Sequence, residues 1–400
     1  MNILSSVERA SLERIDAGAM LARVERWTAI NSGTHNVAGC AAMAAALADA
    51  FAALPGEVEL IEPTPTDSVG ADGQVTPLAH GRHLRLSVRP DAPVRLLLTG
   101  HMDTVYPVDH PFQTSRWREP GVLNGPGVAD MKGGLSLMLE ALLAIEAGSS
   151  RLGYDVVINS DEETGSLSSA SLLAQAAQGK VAALTYEPAL PDGTLAGARG
   201  GTGNFSIVVR GRAAHAGRNP EDGRNAIVAA SALAVRLHQE RSPRLAVNPA
   251  RIDGGGPNNV VPALAVLRVN FRPADAAEIA RARASIDAAV AEIQAAHEVS
   301  VAVHGSFNRP PKPIDAGAAR LFELVRGAGA ALGQPIAWRD TGGVCDGNNI
   351  AACGVPVVDT MGARGGAIHS SDEFLIVDSL AERAALSAVT MLRLAEGALA

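Results

Sequence analysis

The sequence predicts an α/β protein built in two structural parts. Short stretches rich in Val, Leu and Ile alternate with helical stretches, which indicates a largely parallel central sheet flanked by helices. After residue 200 the order changes to strand, helix, strand, strand, helix, strand, the βαββαβ pattern of ferredoxin-like domains. A chain of 400 residues with 47% hydrophobic composition is long enough for a large domain that carries such an insertion.

The main part takes its strands from both ends of the chain. These predicted strands are short, apolar and bounded by Gly, Pro or Asp, and they cover residues 84–89, 94–100, 154–160, 182–187 and 356–362. Helices are predicted between them at residues 134–147 and 168–177. The main domain is therefore expected to consist of residues 1–197 and 312–400.

The inserted part, residues 198–311, is predicted from its own periodicity. Strands are expected at residues 205–212, 246–252, 264–272 and 299–303, and helices at residues 224–239 and 276–296. In the third of these strands, Leu267, Val269 and Phe271 alternate with polar residues, so one face of the sheet is expected to be buried.

Composition and charge exclude several classes of function. The 34 basic and 42 acidic residues give a net charge of −8 without a local basic cluster, so nucleic-acid binding is not expected. The apolar stretch 135–147 is interrupted by Glu140 and Glu146, which argues against a membrane span. The three cysteines lack CxxC spacing and the first residues lack an apolar signal segment, so a cytoplasmic protein is expected.

Histidines and carboxylates follow several predicted strands at the point where each strand ends. These residues are His101, Asp103, Glu162, Glu163, Glu187 and His369. A further carboxylate, Asp130, lies in a glycine-rich segment directly before a predicted helix. Because the carboxyl ends of strands in an open α/β sheet meet at one crevice, these side chains are expected to lie close together.

Such a cluster is typical of metal-assisted hydrolysis. Imidazole and carboxylate ligands suit Zn²⁺, and one bridging carboxylate would hold two ions about 3.5–4 Å apart. Of the adjacent Glu162 and Glu163, one can bind a metal while the other serves as a general base. Taken singly, a histidine at a strand end is more often a structural residue, and an Asp-Glu-Glu run is more often a solvated turn. The glycine-rich segment lacks the spacing of a phosphate-binding loop.

Five motifs, in this order and spacing, resemble the co-catalytic zinc exopeptidases and amidohydrolases. They are GHMDTV, GPGVADMKGG, SDEETGS, YEP and GAIHS. That family includes glutamate carboxypeptidase (carboxypeptidase G), succinyl-diaminopimelate desuccinylase, acetylornithine deacetylase and the aminoacylases. The resemblance extends over nearly the whole chain, and GHMDTVYP and GPGVADMKGG are most similar to the glutamate carboxypeptidase branch.

The resemblance implies two Zn²⁺ ions per chain, with Co²⁺ or Mn²⁺ able to substitute. Asp130 would bridge both ions. His101 and Glu187 would complete one metal site. Glu163 and His369 would complete the other.

Two further residues near the metals receive roles from the same resemblance. Glu162 would be the general base. Asp103 would orient His101, since a ligating histidine usually donates its second N–H to such a partner. The peptide bond between Asp130 and Met131 is expected to be cis, as in the family.

The inserted part resembles the lid and dimerisation domain of the family. His215 matches a lid histidine that reaches the substrate in the neighbouring subunit, and Asn259 matches an asparagine that helps to hold the substrate's carboxylate. Arg272 matches a family arginine by its distance from Asn259, although a solvated strand face would also explain it. Arg309 is expected to clamp a carboxylate, because a guanidinium offers two parallel donors.

The predicted function is hydrolysis of an amide or peptide bond next to a free carboxylate. The expected substrate is an N-acyl amino acid or short peptide, and the expected assembly is a homodimer formed through the lid. Glu187 favours this interpretation within the family, because members that act as aminopeptidases tend to carry Asp there. One alternative is an N-acyl amino acid deacylase of the acetylornithine deacetylase or succinyl-diaminopimelate desuccinylase type. The other is a catalytically silent metal-binding homologue.

Overall fold

The computed structural model describes residues 3–148 and 150–399. The helices of this part of the chain are α1 (Ser6–Leu12), α2 (Ala17–Thr28), α3 (Val37–Phe51), α4 (Gly134–Glu146), α5 (Ala170–Ala177), α6 (Ala226–His238), α7 (Ala276–His297), α8 (Ala316–Ala331), α9 (Asp346–Ala352) and α10 (Ser379–Ala395). The strands are β1 (Glu57–Ile61), β2 (Thr66–Val69), β3 (Val75–Leu78), β4 (His83–Val88), β5 (Arg95–His101), β6 (Arg116–Glu119), β7 (Val122–Asn124), β8 (Gly153–Asn159), β9 (Ala182–Thr185), β10 (Leu195–Arg199), β11 (Thr202–Arg210), β12 (Leu245–Gly254), β13 (Leu264–Pro273), β14 (Ser300–Arg309), β15 (Trp338–Thr341), β16 (Val357–Val358), β17 (Gly365–Gly366) and β18 (Phe374–Ile376).

The central sheet has the strand order β1-β4-β8-β5-β9-β16. Strand β5 is parallel to both of its neighbours, β16 is parallel to β9, and β4 is antiparallel to β1 and β8. The predicted α/β fold with a largely parallel sheet is therefore confirmed. Strand β16 is shorter than the predicted strand 356–362, because Thr360 forms only an isolated bridge with Tyr186.

Helices cover both faces of the central sheet, which explains why its inner strands are apolar along their whole length. Leu96, Leu98 and Val156 belong to the core that includes Leu135 and Met138 of α4. The alternate residues of the same strands point to the opposite face, where they pack against α5 and α9. The start of α4 lies against the backbone of Tyr186, just after the carboxyl end of β9, where the candidate site is found.

The insert forms its own antiparallel sheet in the order β12-β13-β11-β14. Helices α6 and α7 contact this sheet and share a separate core with Ile207, Leu267 and Phe271. The βαββαβ order and the buried face against the helices are those predicted. The chain enters and leaves the insert side by side, since Arg199 and Lys312 exchange two backbone hydrogen bonds of 2.8 and 2.9 Å. These contacts support the boundaries 198–311 that we propose for it.

The other face of the insert sheet carries polar residues such as Arg268 together with the buried Val208 and Val266, and it contacts a hairpin of the main part. Arg268 donates to the carbonyl of Val69 at 2.7 Å, and Arg210 donates to the carbonyl of Gly73 at 2.8 Å. The β2–β3 hairpin thus connects the two parts away from the chain crossings. Among the described helices, none combines the length and the apolar character that a membrane crossing requires.

Candidate metal centre and active site

The carboxyl ends of the central strands bring the predicted metal ligands together. Among the described residues, two groups offer ligand atoms that all lie within 4.8 Å of one another: His101, Asp130 and Glu187, and Asp130, Glu163 and His369. His101 is the last residue of β5, and Glu187 follows β9. The residues come from segments far apart in the chain, and Asp130 belongs to both groups.

Asp130 lies between the two histidines, with one carboxylate oxygen facing each of them. Its Oδ1 is 3.0 Å from Nε2 of His101, and its Oδ2 is 3.3 Å from Nε2 of His369. The outer carboxylates complete the groups: Oε2 of Glu187 is 3.7 Å from Nε2 of His101. Oε2 of Glu163 is 3.2 Å from Nε2 of His369. This is the arrangement that a bridging carboxylate requires.

The glycine-rich segment before α4 allows Asp130 to reach this position. The peptide bond between Asp130 and Met131 is cis, as predicted. At Gly134 a Cβ atom would lie 2.1 Å from the backbone oxygen of Tyr186, so only glycine lets the start of α4 approach the end of β9 so closely. Gly127 has a φ of 73°, a left-handed conformation that favours glycine. His369 also adopts a positive φ of 61°, which is costly for a residue with a side chain and is characteristic of functional sites.

Asp103 follows His101 and connects its loop to the loop of Glu162 and Glu163. Its carboxylate accepts the backbone N–H groups of Glu162 and Glu163 at 3.2 Å each, and the hydroxyl of Thr34 at 2.7 Å. Nδ1 of His101 lies 3.0 Å from the backbone oxygen of Asp103 and 3.5 Å from its carboxylate. The shorter contact of His101 is thus to the backbone oxygen of Asp103, and the orienting role of the carboxylate stays a prediction. Thr34 was not predicted, and its sequence neighbourhood carries no signal of this contact.

A second unpredicted carboxylate, Glu373, holds the turn that carries Asp130. Its Oε1 accepts the backbone N–H groups of Ala129 and Asp130 at 3.0 Å each. Its Oε2 accepts the backbone N–H of Gly127 at 3.1 Å and the hydroxyl of Tyr106 at 2.9 Å. Glu373 is 1% exposed, so this carboxylate is satisfied entirely by hydrogen bonds from the protein. Its nearness to His369 in the sequence is the only feature that could have drawn attention to it.

The electrostatics of the group are those of a site that can bind cations. Hydrogen bonds to Asp130 and Glu163 raise the pKa of His369 to about 10. Burial alone would lower the pKa of His101, but Glu187, Asp103 and Asp130 raise it well above its ordinary value. Burial and the neighbouring Asp130 raise the pKa of Glu163 to about 8. Divalent ions would neutralise the same carboxylates, after displacing the protons from the imidazoles. The donor set therefore fits a pair of metal ions.

Glu162 lies beside the ligands and is 6% exposed. Burial raises the pKa of this carboxyl to about 7, although the charge of Arg309 opposes the change. Nη2 of Arg309 is 2.8 Å from Oε1 of Glu162, and it also donates to the backbone oxygen of Glu162 at 2.7 Å and to Ser166 at 2.8 Å. Arg309 was expected to clamp a substrate carboxylate. Here its guanidinium is buried against the predicted base, because the last residue of β14 reaches back into the main part.

The three other candidate residues, His215, Asn259 and Arg272, belong to the insert sheet and its loops. Nδ1 of His215 accepts the backbone N–H groups of Gly217 and Arg218 at 3.1 Å each, which places the proton of the neutral ring on Nε2. Asn259 is exposed, and its backbone oxygen accepts the N–H of the residue after His215. Arg272 donates to Asn270 at 2.9 Å. Desolvation and the nearby charge of Arg309 lower the pKa of Arg272.

Comparison with known proteins identifies the family. Residues 97–393 match peptidase family M20/M25/M40. The chain belongs to this family. Members of the M20 family are metal-dependent hydrolases of peptide and related amide bonds, so the chain is a hydrolase of that kind, as the motifs predicted.

Relatives in the M20 family include both carboxypeptidases and deacylases. The chain is 29% identical over 393 residues to carboxypeptidase G2 of Pseudomonas sp. (strain RS-16), which covers 95% of this chain and 90% of that protein. It is 30% identical over 314 residues to succinyl-diaminopimelate desuccinylase of Xanthomonas oryzae pv. oryzae (strain MAFF 311018), over 72% of this chain and 80% of that protein. The crystal structure of aminopeptidase PepT from Bacillus cereus superimposes with a TM-score of 0.71 at 22% identity, over 96% of this chain and 100% of that one. At this identity, the similarity to the aminopeptidase structure shows a shared fold.

Proposed function

We propose that this M20-family protein cleaves an amide or peptide bond next to a free carboxylate, in the manner of a glutamate carboxypeptidase. The observation that carries the proposal is the position of Asp130 between two histidines, with Glu162 directly beside the ligand groups. Carboxypeptidase G2, matched over 95% of this chain, supports the carboxypeptidase type of substrate. An N-acyl amino acid or short peptide is the proposed substrate class.

The metal pair is assigned to the five residues of the two groups. His101 and Glu187 would hold one ion, Glu163 and His369 the other, and Asp130 both. Imidazole and carboxylate donors suit Zn²⁺, with Co²⁺ or Mn²⁺ able to substitute. When bound, such ions polarise the substrate carbonyl and lower the pKa of water.

Glu162 is assigned the proton transfers. Its carboxylate takes a proton from the water that attacks the carbonyl carbon and returns that proton to the leaving amine nitrogen when the C–N bond breaks. Burial raises the pKa of this carboxyl, and a raised pKa makes the carboxylate a stronger acceptor for the proton of the water. Asp103 keeps Glu162 in place through the backbone N–H of that residue.

The insert is assigned the recognition of the substrate's carboxylate and its carbonyl oxygen. The exposed side chains of Asn259 and Arg272 can bind a carboxylate. The Nε2–H of His215 is directed away from the backbone groups that its Nδ1 accepts, so it is available to donate to the carbonyl oxygen as negative charge develops. We further propose a cytoplasmic homodimer joined through the insert, in which His215 acts on the substrate of the neighbouring subunit.

A deacylase of the succinyl-diaminopimelate desuccinylase or acetylornithine deacetylase type is the second candidate. The 30% identity to a desuccinylase over 72% of this chain favours it. Hydrolysis of N-acyl glutamates and C-terminal glutamyl dipeptides, compared with acetylornithine and succinyl-diaminopimelate, decides between the two. A strict requirement for a free N-terminus would contradict both. The complete set of ligands and base argues against a catalytically silent homologue.

The test of the proposed mechanism is Glu162→Gln. This change keeps the size of the side chain but removes its ability to accept a proton, so turnover should fall by about 10²–10⁴-fold. Metal content, measured by elemental analysis, should equal that of the wild type, because Glu162 lies outside both ligand groups. Glu119→Gln, at an exposed position of β6, is the matched control and should change neither quantity. Wild-type activity in Glu162→Gln would rule out this base.

A further inference from the structure

A cavity of about 460 Å³ opens next to the second ligand group. Glu163 and Thr164 form one of its sides, so a molecule bound there would reach the candidate metal centre directly. Its size lies within the range of about 300–1,000 Å³ that is usual for small-ligand pockets. The cavity is thus a continuation of the active site, and of its lining residues only Glu163 belongs to a ligand group.

The two walls opposite Glu163 are closely packed and hydrogen-bonded to each other. They consist of residues 33–37 and residues 104–108, which are joined by backbone hydrogen bonds from Thr34 to Thr104 at 3.2 Å and from Thr104 to Ser32 at 3.0 Å. Asn31 donates to the carbonyl of Tyr106 at 3.1 Å. At Gly33 a Cβ atom would lie only 2.3 Å from that same carbonyl oxygen. Loops packed this closely give a pocket of defined shape, which favours discrimination between ligands.

The lining combines apolar and neutral polar residues with two titratable ones, His35 and Glu163. Val37, Val105, Pro107 and Val108 supply apolar surface, and threonine and asparagine side chains supply neutral polar groups. None of the described residues that line the cavity is a lysine or an arginine. A carboxylate that entered would lose its hydration, and the exposed imidazole of His35 is the one side chain among the described lining residues that could pair with it. An apolar group meets the valines and Pro107 without this loss, so it is favoured over a carboxylate.

The position of the cavity determines which half of the substrate it takes. All of its lining residues belong to the main part of the chain, whereas Asn259 and Arg272, the residues assigned to the substrate's carboxylate, belong to the insert. A substrate that spans the ligand groups therefore places its carboxylate-bearing half towards the insert and its acyl half towards the cavity.

We propose that this cavity is the acyl-side specificity pocket and that it selects neutral, apolar acyl groups over acyl groups that end in a carboxylate. The inference rests on the proposed function and deepens it, because it favours acyl groups such as benzoyl or branched alkanoyl and disfavours succinyl. Val105 is the residue best placed to test it, since its side chain lines the cavity and is 36% exposed.

The first experiment varies the acyl group while the leaving group stays constant. N-acetyl-, N-benzoyl-, N-succinyl- and N-(4-methylpentanoyl)-glutamate are compared by kcat/KM with the wild-type holoenzyme. The last two have acyl groups of similar shape, but one ends in a carboxylate and the other in an isopropyl group. We expect benzoyl to exceed acetyl by about 10-fold or more, since buried apolar groups contribute discrimination of that order. Succinyl should be at least about 10-fold slower than its neutral counterpart.

The second experiment changes the pocket. Val105→Trp fills the cavity and should lower the benzoyl-to-acetyl ratio of kcat/KM by about 10-fold. Val105→Lys adds a cation and should raise the succinyl-to-methylpentanoyl ratio by a similar factor. Val75→Trp, at a position of the β2–β3 hairpin that is 45% exposed, is the matched control and should leave both ratios unchanged. Calorimetric binding of the same series to Glu162→Gln should reproduce the ranking without turnover.

The outcomes separate the pocket from the reaction. Equal kcat/KM for the succinyl and methylpentanoyl substrates would contradict the proposed pocket but not the proposed function. A benzoyl-to-acetyl ratio that Val105→Trp leaves unchanged would do the same. If no member of the series is cleaved or bound, both the proposed function and the pocket are contradicted.

Discussion

At the scale of single residues, the candidate site is held by charged side chains that bind backbone groups of their neighbours. Asp103 accepts the N–H groups of both Glu162 and Glu163, so one carboxylate sets the direction of the predicted base and of a predicted ligand. Arg309 also restrains Glu162, because its guanidinium contacts both the carboxylate and the backbone carbonyl of Glu162. Such contacts matter because a misplacement of about 1 Å at a reacting group can cost about 10²-fold in rate.

The contacts of Arg309 predict a kinetic signature that differs from that of a substrate clamp. Arg309→Lys keeps the charge but shortens the side chain, so the contacts that Nη2 makes with Glu162 and Ser166 would be weakened. We expect kcat on an N-acyl glutamate to fall by about 10–100-fold with little change in KM. Arg272→Ala should instead raise KM, since that side chain is assigned to the substrate's carboxylate. Steady-state kinetics of the two variants check this, with melting temperatures as a control for folding. A rise in KM alone for Arg309→Lys would instead support the original expectation that Arg309 binds the substrate's carboxylate.

At the scale of elements, the pairing of short strands far apart in sequence positions the turn that carries Asp130. Strand β18 pairs with β7, and Phe374 lies opposite Asn124. This register brings Glu373, the residue before β18, to the N–H groups of the turn. Asn124 strengthens the arrangement by donating to the backbone oxygen of Glu373 at 2.6 Å. The turn is therefore held from outside, by a strand that also follows His369.

Glu373→Gln should weaken metal binding without removing a ligand. An amide in place of the carboxylate would direct N–H donors at backbone N–H groups, which would free the turn of Asp130. Residues that support metal ligands typically contribute about 10–100-fold in affinity, and a loss of this size is expected in competition with a chelator. Asp372→Asn is the matched control, because the adjacent Asp372 has a side chain that is 73% exposed. Equal metal affinities for Glu373→Gln and Asp372→Asn would contradict the proposed support of the Asp130 turn by Glu373.

The elements themselves were largely predictable, because their signals are local. The apolar strands and the alternation of Leu267, Val269 and Phe271 with polar residues reflect burial on two faces or on one, and the structure has both. Strand 356–362 was predicted too long, since a run of apolar residues cannot show where a partner strand ends. The pairing of β18 with β7 left no periodic signal, because three residues are too few to show one.

At the scale of the whole molecule, a buried ion cluster joins the main part to the insert where the chain crosses between them. Asp359 lies 2.7 Å from Nε of Arg199 and 3.2 Å from Nζ of Lys312, the two residues that exchange backbone hydrogen bonds at the crossing. All three are buried. Removing one partner of a buried ion pair leaves an uncompensated charge, which makes this cluster sensitive to substitution.

Asp359→Asn should lower the free energy of unfolding by about 3–5 kcal/mol. Burial would raise the pKa of Asp359, but Arg199 and Lys312 hold it below its ordinary value. The contribution is therefore present above the unfolded pKa of about 3.9 and is lost as the pH falls through the lower folded pKa. Urea unfolding across this pH range should show the difference between wild type and variant at neutral pH and its decline in acid. Asp109→Asn, at an exposed position, is the control. A difference in unfolding free energy that does not change with pH would contradict the assignment.

The proposed sharing of His215 between subunits predicts rescue on mixing. His215→Ala and Glu162→Gln are each expected to be inactive, but a mixed dimer would contain one site with both residues intact. Random reassembly should restore about one quarter of wild-type activity, since half of the dimers are mixed and each has one complete site. His101→Ala mixed with Glu162→Gln is the control without rescue, because both residues belong to the same chain's site. Activity that stays at the level of the separate variants would place His215 in its own chain's site.

The sequence by itself determined the α/β class, the inserted βαββαβ unit, the family and the residues that form the two ligand groups. The fold class depends on local periodicity, whereas the family and the ligand roles follow from the resemblance of five short motifs to a known family. Both kinds of signal are visible in short windows of sequence. Only the tertiary structure decided that Glu373 holds the turn of Asp130, that Arg309 binds Glu162, and that three separate segments enclose the acyl-side cavity. Tyr106 and Glu373 meet across 267 positions of the chain, and a contact of that span follows from the packing of the whole fold.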